Sequence, residues 1–266
     1  MMTEPFLKWA GGKRWLVQNY SHLFPENWTR YIEPFLGGGA IFFWLRPKLA
    51  ILSDKNTELI NAYRSIKNHP EVIDAELQRL HRTHSAEQYY RIRDKQEGTT
   101  LERAVRFIYL NRTCFNGLYR ENHNGLFNVP IGVKTLVAFP KEYLIGVAAL
   151  LKNAALATTD FETTINRAGK GDFVFVDPPY TVMHNSNNFI KYNAALFSWQ
   201  DQIRLATTVR RAISRGASIM VTNADHSCIR ELYSDVGHMY SVDRTSVLAG
   251  RAIHRRRTTE LVVTSY

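Results

Sequence analysis

Short runs of β-prone residues that are apolar on both faces constrain the fold of this chain most. They are RYIE at 30–33, AILSD at 50–54, FVFVD at 173–177 and ASIMVT at 217–222, and TELVVTSY closes the chain. A strand that is apolar on both faces belongs in a sheet that helices cover on both sides. The sequence therefore predicts an α/β fold in which helices separate these strands.

Capping signals mark two of the expected helices. Ser198 and Asp201 form a capping box before the apolar stripe of a helix predicted over 199–215. Thr99 and Glu102 form a second capping box in the middle of the chain. In each box the first side chain accepts a hydrogen bond from the third helical N–H and the acid bonds back, so both pairs predict a helix start.

The segment 111–132, NRTCFNGLYRENHNGLFNVPIG, is basic, aromatic and rich in turn residues. Asn and Gly favour turns, and Phe115, Tyr119 and Phe127 recur between them. This pattern predicts a hairpin or a loop.

The segment lies in a longer stretch, 57–140, that is helical and polar in pattern and has little strand character. The flanking parts of the chain carry the apolar strands. We therefore predict one domain formed by 1–56 and 141–266 and a second, mainly helical domain over 57–140 inserted into it.

The charge of the chain points to a polyanionic partner. Lys and Arg number 34 against 24 Asp and Glu, so the net charge is +10, which favours nucleic acid first. Apolar runs of about 18 residues are missing, so we expect no membrane span. With only Cys114 and Cys228 there is no disulfide framework, and a reducing cytoplasm is the simplest compartment.

A glycine-rich turn follows the first predicted strand in YIEPFLGGGAIFFWL, residues 31–45. Glycines between a strand and a helix let a ligand approach the backbone, and an acid at the tip of the next strand, here Asp54, commonly holds a ribose hydroxyl. Phe42 stands where the dinucleotide fingerprint needs its last glycine, counting from Gly37. A nucleoside ligand is therefore favoured over a dinucleotide, and a tight turn without a ligand is the open alternative.

A second glycine pair lies in KWAGGKRW, residues 8–15. It is not a P-loop, because Arg14 replaces the required Ser or Thr. The segment suits a loop over a ligand, with Lys8 or Lys13 near an anion. An ordinary exposed glycine turn explains the same residues.

The predicted strand FVFVD ends in a tetrad, Asp177, Pro178, Pro179 and Tyr180. Ligands bind at the carboxyl ends of strands in open α/β sheets. The prolines remove two N–H donors and leave carbonyl acceptors, while Tyr180 offers a flat face. Acceptors beside a flat face suit a planar ligand with an amino group, such as adenine. A proline-terminated strand with a surface Asp is the plain alternative.

With these motifs in order, the chain resembles the Dam-type DNA adenine-N6 methyltransferases, the D12 or alpha class. The resemblance spans nearly the whole chain and is carried by FLKWAGGKR, EPFLGGGAIFF, LSDKNTELI, YLNRTCFNGLYRENHNGLFNVPIG, VFVDPPY, NNFIKYNAALFSWQDQIRLA, TNADHSCIRELY and RRRTTELVVTSY. It implies a Rossmann-like sheet with the inserted region, 57–140, as the target-recognition domain.

The resemblance also implies S-adenosylmethionine as the methyl donor, with S-adenosylhomocysteine as product and no metal. Asp54 is expected to bind the donor ribose, and Phe161 to pack on the donor adenine beside Asp160. The full set of implied donor-binding residues is Trp9, Lys13, Glu33, Pro34, Phe35, Gly37, Gly39, Asp54, Asp160, Phe161 and Asp177.

The tetrad is implied to be catalytic. A base inside a duplex cannot reach it, so the target adenine must be flipped out of the stack. Asp177 and the Pro178 carbonyl then accept from the adenine amino group, Tyr180 stacks on its ring, and orientation supplies much of the acceleration.

The recognition region is implied to read GATC in double-stranded DNA. Arg120 matches the arginine that reads a guanine, and Lys8 matches a lysine that approaches the DNA. The loop expected to enter the duplex is formed by Phe115, Asn116, Leu118 and Tyr119. A phosphate contact or a plain surface charge is the alternative for Arg120. The basic residues Arg251 and Arg255 to Arg257 are expected to contact phosphates, or to form a solvated face.

Other classes of protein remain as alternatives. A cytosine-N4 methyltransferase uses similar chemistry, but its tetrad more often begins with Ser. A catalytically silent DNA-binding relative would not need both Asp54 and an intact tetrad. We expect a monomer that binds DNA, in the cytoplasm of a bacterial or phage-infected cell.

Overall fold

The computed structural model describes residues 4–95, 97–122, 124–182, 197–245 and 257–266. Its strands are β1 (Arg30–Glu33), β2 (Ala50–Asp54), β3 (Ala154–Thr158), β4 (Asp172–Val176), β5 (Ser218–Ala224), β6 (His238–Thr245) and β7 (Arg257–Thr264). They form one seven-stranded sheet with the order β3-β2-β1-β4-β5-β7-β6.

The α-helices are α1 (Arg14–Asn19), α2 (Ala40–Leu45), α3 (Thr57–Asn68), α4 (Pro70–Arg82), α5 (Ala86–Asp94), α6 (Thr100–Thr113), α7 (Tyr143–Leu151), α8 (Phe161–Ile165), α9 (Trp199–Ser214) and α10 (Ser227–Leu232). Short 3-10 turns lie at Ser21–Leu23 and Phe115–Gly117. Both predicted capping boxes are present, at the starts of α6 and α9.

Strand direction decides which residues meet at the functional edge of the sheet. β4 pairs in parallel with β1 and with β5, so these three strands end at the same edge. β7 runs antiparallel to both β5 and β6, so it begins at the edge where β5 ends. The predicted α/β class with a Rossmann-like sheet is confirmed.

The chain forms two compact units. The first comprises Met1–Val17, Leu36–Pro47 and Leu52–Thr158, and the second comprises Gln18–Phe35, Lys48–Ile51 and Thr159–Tyr266. Compact packing and DNA recognition are separate properties, so the recognition domain over 57–140 stays a prediction.

In the first unit, α3 packs against α6, α4 and α7. Its N-cap Asn56 accepts the Leu59 N–H at 2.9 Å, and the apolar side of the helix buries Leu59, Ile60 and Ile66. The sequence predicted a helical pattern over this stretch and one helix capped by Thr99 and Glu102, and the structure has four helices between 57 and 113.

In the second unit, β4 and β5 form the centre of the core. Every residue of β4 is buried. Helix α9 covers this sheet through Leu205, Val209 and Ala212, which belong to the same apolar cluster as Val174 and Ile219. The strands predicted at 173–177 and 217–222 are therefore confirmed within one or two residues at their ends.

The structure contains two strands that the sequence did not predict, and one set of predicted contact residues falls outside the described residues. The sequence reading did not predict β3 and β6, the two strands at the ends of the sheet order. The phosphate contacts predicted at Arg251, Arg255 and Arg256, and at the side chain of Arg257, lie outside the described residues. Across the residues that are described, none of the helices has the length and apolarity to cross a membrane.

Candidate active site

The turn after β1 depends on its glycines. Gly37 has φ 46° and Gly39 has φ 65°, in the left-handed region that favours glycine. A Cβ on Gly37 would lie 2.6 Å from Trp9 Cδ1, and one on Gly39 would lie 2.9 Å from the Tyr63 hydroxyl. Side chains from α3 and from the KWAGGKRW segment thus approach the turn too closely for any other residue.

Asp54, at the end of β2, anchors this turn. Its Oδ2 accepts the Gly37 N–H at 3.0 Å, and its Oδ1 accepts the Asn56 N–H at 3.0 Å. Burial raises the pKa of Asp54, and the N–H bonds from Asn56 and Gly37 oppose that rise because they favour the carboxylate. The acid predicted for a ribose therefore lies directly beside the glycine turn.

Lys13 is buried, with only 3% of its surface exposed. Its Nζ donates to the Gly11 carbonyl at 2.9 Å, within its own loop. Gly11 has φ 80°, so glycine suits this loop as well as the turn after β1. The alternative of an exposed glycine turn does not describe Lys13, because this side chain is buried and hydrogen-bonded.

At the end of β1, Tyr31 and Glu33 share one face of the strand and are both buried. The Tyr31 hydroxyl donates to Glu33 Oε2 at 2.9 Å. Burial, followed by the Glu33 charge, raises the pKa of Tyr31. Pro34 is also buried, and Phe35 packs beyond it into an aromatic group.

That aromatic group contains Phe161, which has 1% of its surface exposed. Phe35 stacks on it at 5.4 Å between ring centroids, Phe197 packs at 5.6 Å, and the Arg204 guanidinium lies 4.1 Å from its centroid. For Phe161 to pack on a donor adenine, one of these contacts must open. The role of Phe161 in donor binding stays a prediction, and it requires that one of these contacts opens.

Asp160 caps α8 through its Oδ1, which accepts the Glu162 N–H at 2.9 Å. Arg204, on α9, donates to both Asp160 oxygens at 2.6 and 3.0 Å and also to Glu162. This fork holds Asp160 and the Phe161 ring with a single side chain. The sequence reading did not single out Arg204.

Asp177 follows β4 and is oriented from the neighbouring strand. Val176 pairs with Val221, so the next residues, Asp177 and Thr222, face each other. The Thr222 hydroxyl donates to Asp177 Oδ1 at 2.7 Å, and Thr222 itself is fully buried. The carboxylate thus has a fixed direction at the carboxyl edge of the sheet.

Tyr180 is held from the far side of β5. Its hydroxyl donates to Glu260 Oε2 at 2.7 Å, and the other carboxylate oxygen of Glu260 accepts from Arg244 Nη1. Burial raises the pKa of Tyr180, and the charges of Asp177 and Glu260 add to that rise. The phenol is therefore neutral at physiological pH and acts as a donor.

The prolines stiffen the loop between these two residues. Pro178 is buried, and the carbonyl of Pro179 accepts from Gln202 Nε2 at 3.4 Å. Gln202 is itself held, because Asn223 Nδ2 donates to its Oε1 at 3.1 Å. The tetrad is thus braced from α9 as well as from β5.

The segment predicted as a hairpin or loop does form a hairpin-like structure. Antiparallel bridges join Cys114 to Ile131 and Glu121 to Phe127. Arg120 is exposed, and its Nε donates to Asn128 Oδ1 across the hairpin at 2.9 Å.

The tip beside α6 exposes apolar side chains. Phe115 is 53% exposed and Leu118 is 38% exposed. Asn116 between them has φ 55°, a left-handed conformation that Asn tolerates better than most residues. Exposed apolar wedges on a tight turn are the kind of group that enters a base stack.

Asn111 ties Lys8 to this hairpin. The Lys8 N–H donates to Asn111 Oδ1 at 2.9 Å, and Asn111 Nδ2 donates to the Lys8 carbonyl at 2.8 Å and to the Gly117 carbonyl at 3.3 Å. Burial and the neighbouring Lys134 ammonium lower the pKa of Lys8 to about 8.

The next residue, Trp9, joins two sets of predicted residues. Its ring touches the Gly37 turn and also stacks on Tyr119 at 5.4 Å between centroids, with planes 23° apart. The resemblance assigned Trp9 to the donor and Tyr119 to DNA. The structure brings these two side chains into direct contact within the first unit.

Several polar residues near the site escaped the sequence reading, namely Asn111, Gln202, Arg204, Thr222, Arg244 and Glu260. Thr222 and Glu260 carried a usable signal, because each stands directly beside the apolar run of its strand, and both side chains are buried. Arg204 and Arg244 gave no such signal, because arginines at these positions are expected to face solvent. No cluster of metal-ligand side chains occurs in the part of the chain that the structure describes.

Comparison with known proteins finds a matching family and several similar proteins. The D12 class N6 adenine-specific DNA methyltransferase family matches residues 9–247. The chain is 36% identical over 272 residues to the Type II methyltransferase M1.LlaDCHI of Lactococcus lactis subsp. cremoris, covering 99% of this chain and 95% of that protein.

Two further relatives show the breadth of this similarity. Identity to the Type II methyltransferase M.MjaIII of Methanocaldococcus jannaschii is 37% over 246 residues, covering 84% of this chain and 85% of that protein. Identity to the DNA adenine methylase of Serratia marcescens is 33% over 265 residues, covering 98% of this chain and 97% of that protein.

Proposed function

This chain belongs to the D12 class N6 adenine-specific DNA methyltransferase family, and we propose that its target is the adenine of GATC in duplex DNA, flipped out of the stack for reaction. The tetrad geometry supports the adenine reaction, because Asp177 and Tyr180 are each fixed by a buried partner, and the resemblance of the segment 111–132 supports GATC as the target. The family match is adenine-specific, so a cytosine-N4 reaction is not favoured.

The family implies S-adenosylmethionine as methyl donor, and the first unit fits its nucleoside part. A carboxylate has roughly four acceptor positions, and the backbone bonds to Asp54 from Gly37, Asn56 and Lys55 use only part of them. Asp54 beside the Gly37 turn can therefore accept ribose hydroxyls. We assign donor binding to the residues named from the resemblance: Trp9, Lys13, Glu33, Pro34, Phe35, Gly37, Gly39, Asp54, Asp160, Phe161 and Asp177.

When bound, this donor supplies an electrophilic methyl group on a sulfonium. The lone pair of adenine N6 is delocalised into the ring, so the enzyme must make it available. We assign that task to Asp177 and the Pro178 carbonyl, which accept from the amino group. The ring of Tyr180 stacks on the base and sets its plane, while its hydroxyl is engaged with Glu260.

We assign target recognition to the hairpin. Phe115, Asn116, Leu118 and Tyr119 enter the duplex, and Lys8 approaches the DNA beside them. Arg120 reads a guanine with its terminal nitrogens, because its Nε is already directed to Asn128. The domain division at 57–140, a monomeric state and a cytoplasmic location remain parts of this proposal.

Replacing Arg120 tests the target site. Wild-type protein should transfer labelled methyl to a GATC duplex in preference to duplexes with the guanine replaced. Arg120→Ala should lose roughly 1–3 kcal/mol of this discrimination, about 5- to 150-fold. Arg79→Ala is the matched control, since Arg79 is an exposed arginine on α4. Undiminished discrimination in Arg120→Ala would rule out its role as guanine reader.

The lowered pKa of Lys8 predicts how the affinity for DNA depends on pH. Its pKa of about 8 means that the free protein loses this charge as pH rises through that value. Contact with DNA favours the ammonium, so binding takes up a proton, and affinity should fall by up to about tenfold per pH unit above the pKa. Fluorescence anisotropy with a labelled duplex measures this affinity at pH values from one unit below the Lys8 pKa to one unit above it. Lys8→Arg should flatten this slope because arginine stays charged, and an unchanged slope contradicts the assignment.

A further inference from the structure

The reversed strand β7 brings a buried acid to the tetrad. Parallel strands β4 and β5 end at the edge that carries Asp177, and β7 begins there because it runs the other way. The register places Glu260 of β7 opposite Ala224, the last residue of β5. Glu260 is 4% exposed, in a strand whose next three residues are fully buried and apolar.

A buried carboxylate is costly unless its oxygens find donors. Both oxygens of Glu260 accept hydrogen bonds: the Tyr180 hydroxyl donates to Oε2 and the Arg244 guanidinium donates to Oε1. Val242 of β6 lies directly opposite Glu260 in the sheet register. Arg244, two residues further along β6, reaches Glu260 diagonally. The arginine balances the charge, which leaves Glu260 available as a strong acceptor for the phenol.

The consequence for Tyr180 is a ring held in place. The first side-chain torsion moves the hydroxyl through space, so the bond to Glu260 fixes it. The hydroxyl lies on the axis of the second torsion, and because a phenol O–H prefers the plane of its ring, the direction of the bond restrains that torsion more weakly. Thr222 does the same for the Asp177 carboxylate from the adjacent strand. The acceptor for the amino group and the stacking face are thus held from β5 and β7 before any base arrives.

We propose that Glu260 is a positioning residue of the methyltransferase, which holds the Tyr180 ring in place for the flipped adenine through the phenol hydroxyl. This rests on the proposed function of the tetrad. Glu260 acts through Tyr180 and does not touch the base. A purely structural role, as the partner of Arg244 inside the sheet, is the alternative that the experiment must separate.

The test is a double-mutant cycle on the single-turnover rate of methyl transfer to a GATC duplex, at saturating donor and DNA. Tyr180→Phe removes only the hydroxyl and leaves the Glu260–Arg244 pair intact. Glu260→Met removes the acceptor, and Glu260→Gln keeps an acceptor oxygen. Asp235→Asn is the control, because Asp235 pairs with Arg210 on the surface of the same unit.

We expect Tyr180→Phe and Glu260→Met each to lower the rate about 10- to 100-fold, with donor affinity unchanged. The double variant should be no slower than the slower single variant, because both changes remove one interaction. Glu260→Gln should recover most of the rate, but only when Tyr180 is present. Asp235→Asn should react at the wild-type rate.

Two results overturn the positioning role: a full rate in Tyr180→Phe, or losses that multiply in the double variant. The cycle remains decisive if Glu260→Met fails to fold, since Tyr180→Phe and the Glu260→Gln pair still report the coupling. Failure of the proposed function looks different. In that case wild-type protein transfers no methyl to adenine, or Asp177→Ala transfers it at full rate.

Discussion

Asp177→Ala is expected to lower methyl transfer by about 100- to 10,000-fold while the protein still binds S-adenosylmethionine through the other residues assigned to the donor. The substitution removes the acceptor that we propose makes the adenine amino nitrogen reactive. It also leaves the Thr222 hydroxyl without its 2.7 Å partner, which is a local loss at the carboxyl edge. The measurement is transfer of labelled methyl to duplex DNA, with donor affinity determined separately by calorimetry.

Asp172→Asn is not a suitable control, because Asp172 is buried and pairs with Arg30. Asp235→Asn serves instead, since its carboxylate is 60% exposed. Full transfer by Asp177→Ala, with the control also active, would remove Asp177 from the mechanism. Loss of both transfer and donor binding would instead move Asp177 from catalysis to donor binding alone.

Asp54→Ala is expected to weaken donor binding by about 100-fold and to leave affinity for DNA nearly intact. The variant loses the acceptor proposed for the ribose, and it also leaves the N–H groups of Gly37 and Asn56 without their carboxylate. Hydrogen bonds to a charged group contribute about 1.5–3 kcal/mol each to stability. Their loss weakens the turn, and this adds to the loss of the ribose contact.

Titration of the protein with donor, followed by calorimetry, measures this effect. Asp54→Asn should fall between wild type and Asp54→Ala, because its amide retains one acceptor oxygen. Asp94→Asn, at the exposed end of α5, is the control. Wild-type donor affinity in Asp54→Ala would contradict the donor site, whatever its effect on the stability of the turn.

The apolar strands were predictable because burial on both faces leaves a run with few polar residues. The strands at 173–177 and 217–222 are of this kind, and each lies between two neighbours in the sheet. β3 and β6 are edge strands with one neighbour each. β6 reads HMYSVDRT, which has few apolar residues, and Val242 is the only buried residue among 238–244. Such a run carries too weak an apolar signal to be separated from a loop.

Sequence patterns single out candidate site residues where these residues stand beside a predicted strand. Asp177 directly follows β4 and Asp54 ends β2, and the roles proposed for both stay predictions. Glu260 lies 80 residues from Tyr180 along the chain, and their contact depends on the reversed direction of β7. Local sequence patterns do not contain strand order, so this partner required the structure.

The contact between Trp9 and Tyr119 has the same origin. Both residues were predicted as functional, one for the donor and one for DNA, but 110 positions separate them in sequence. The stack at 5.4 Å arises because Asn111 brackets the Lys8 backbone and holds the next residue against the hairpin. A buried Asn at the end of a helix is easily taken for an ordinary helix-terminal residue.

The central claim is that this chain methylates N6 of adenine in GATC through Asp177. Mapping modified bases in DNA from cells that lack adenine methylation of their own, and that express the protein, tests it most directly. We predict N6-methyladenine at GATC with wild-type protein and none with Asp177→Ala. N6-methyladenine at a different site would contradict the target assignment, and N4-methylcytosine or unmodified DNA with wild-type protein would contradict the reaction itself.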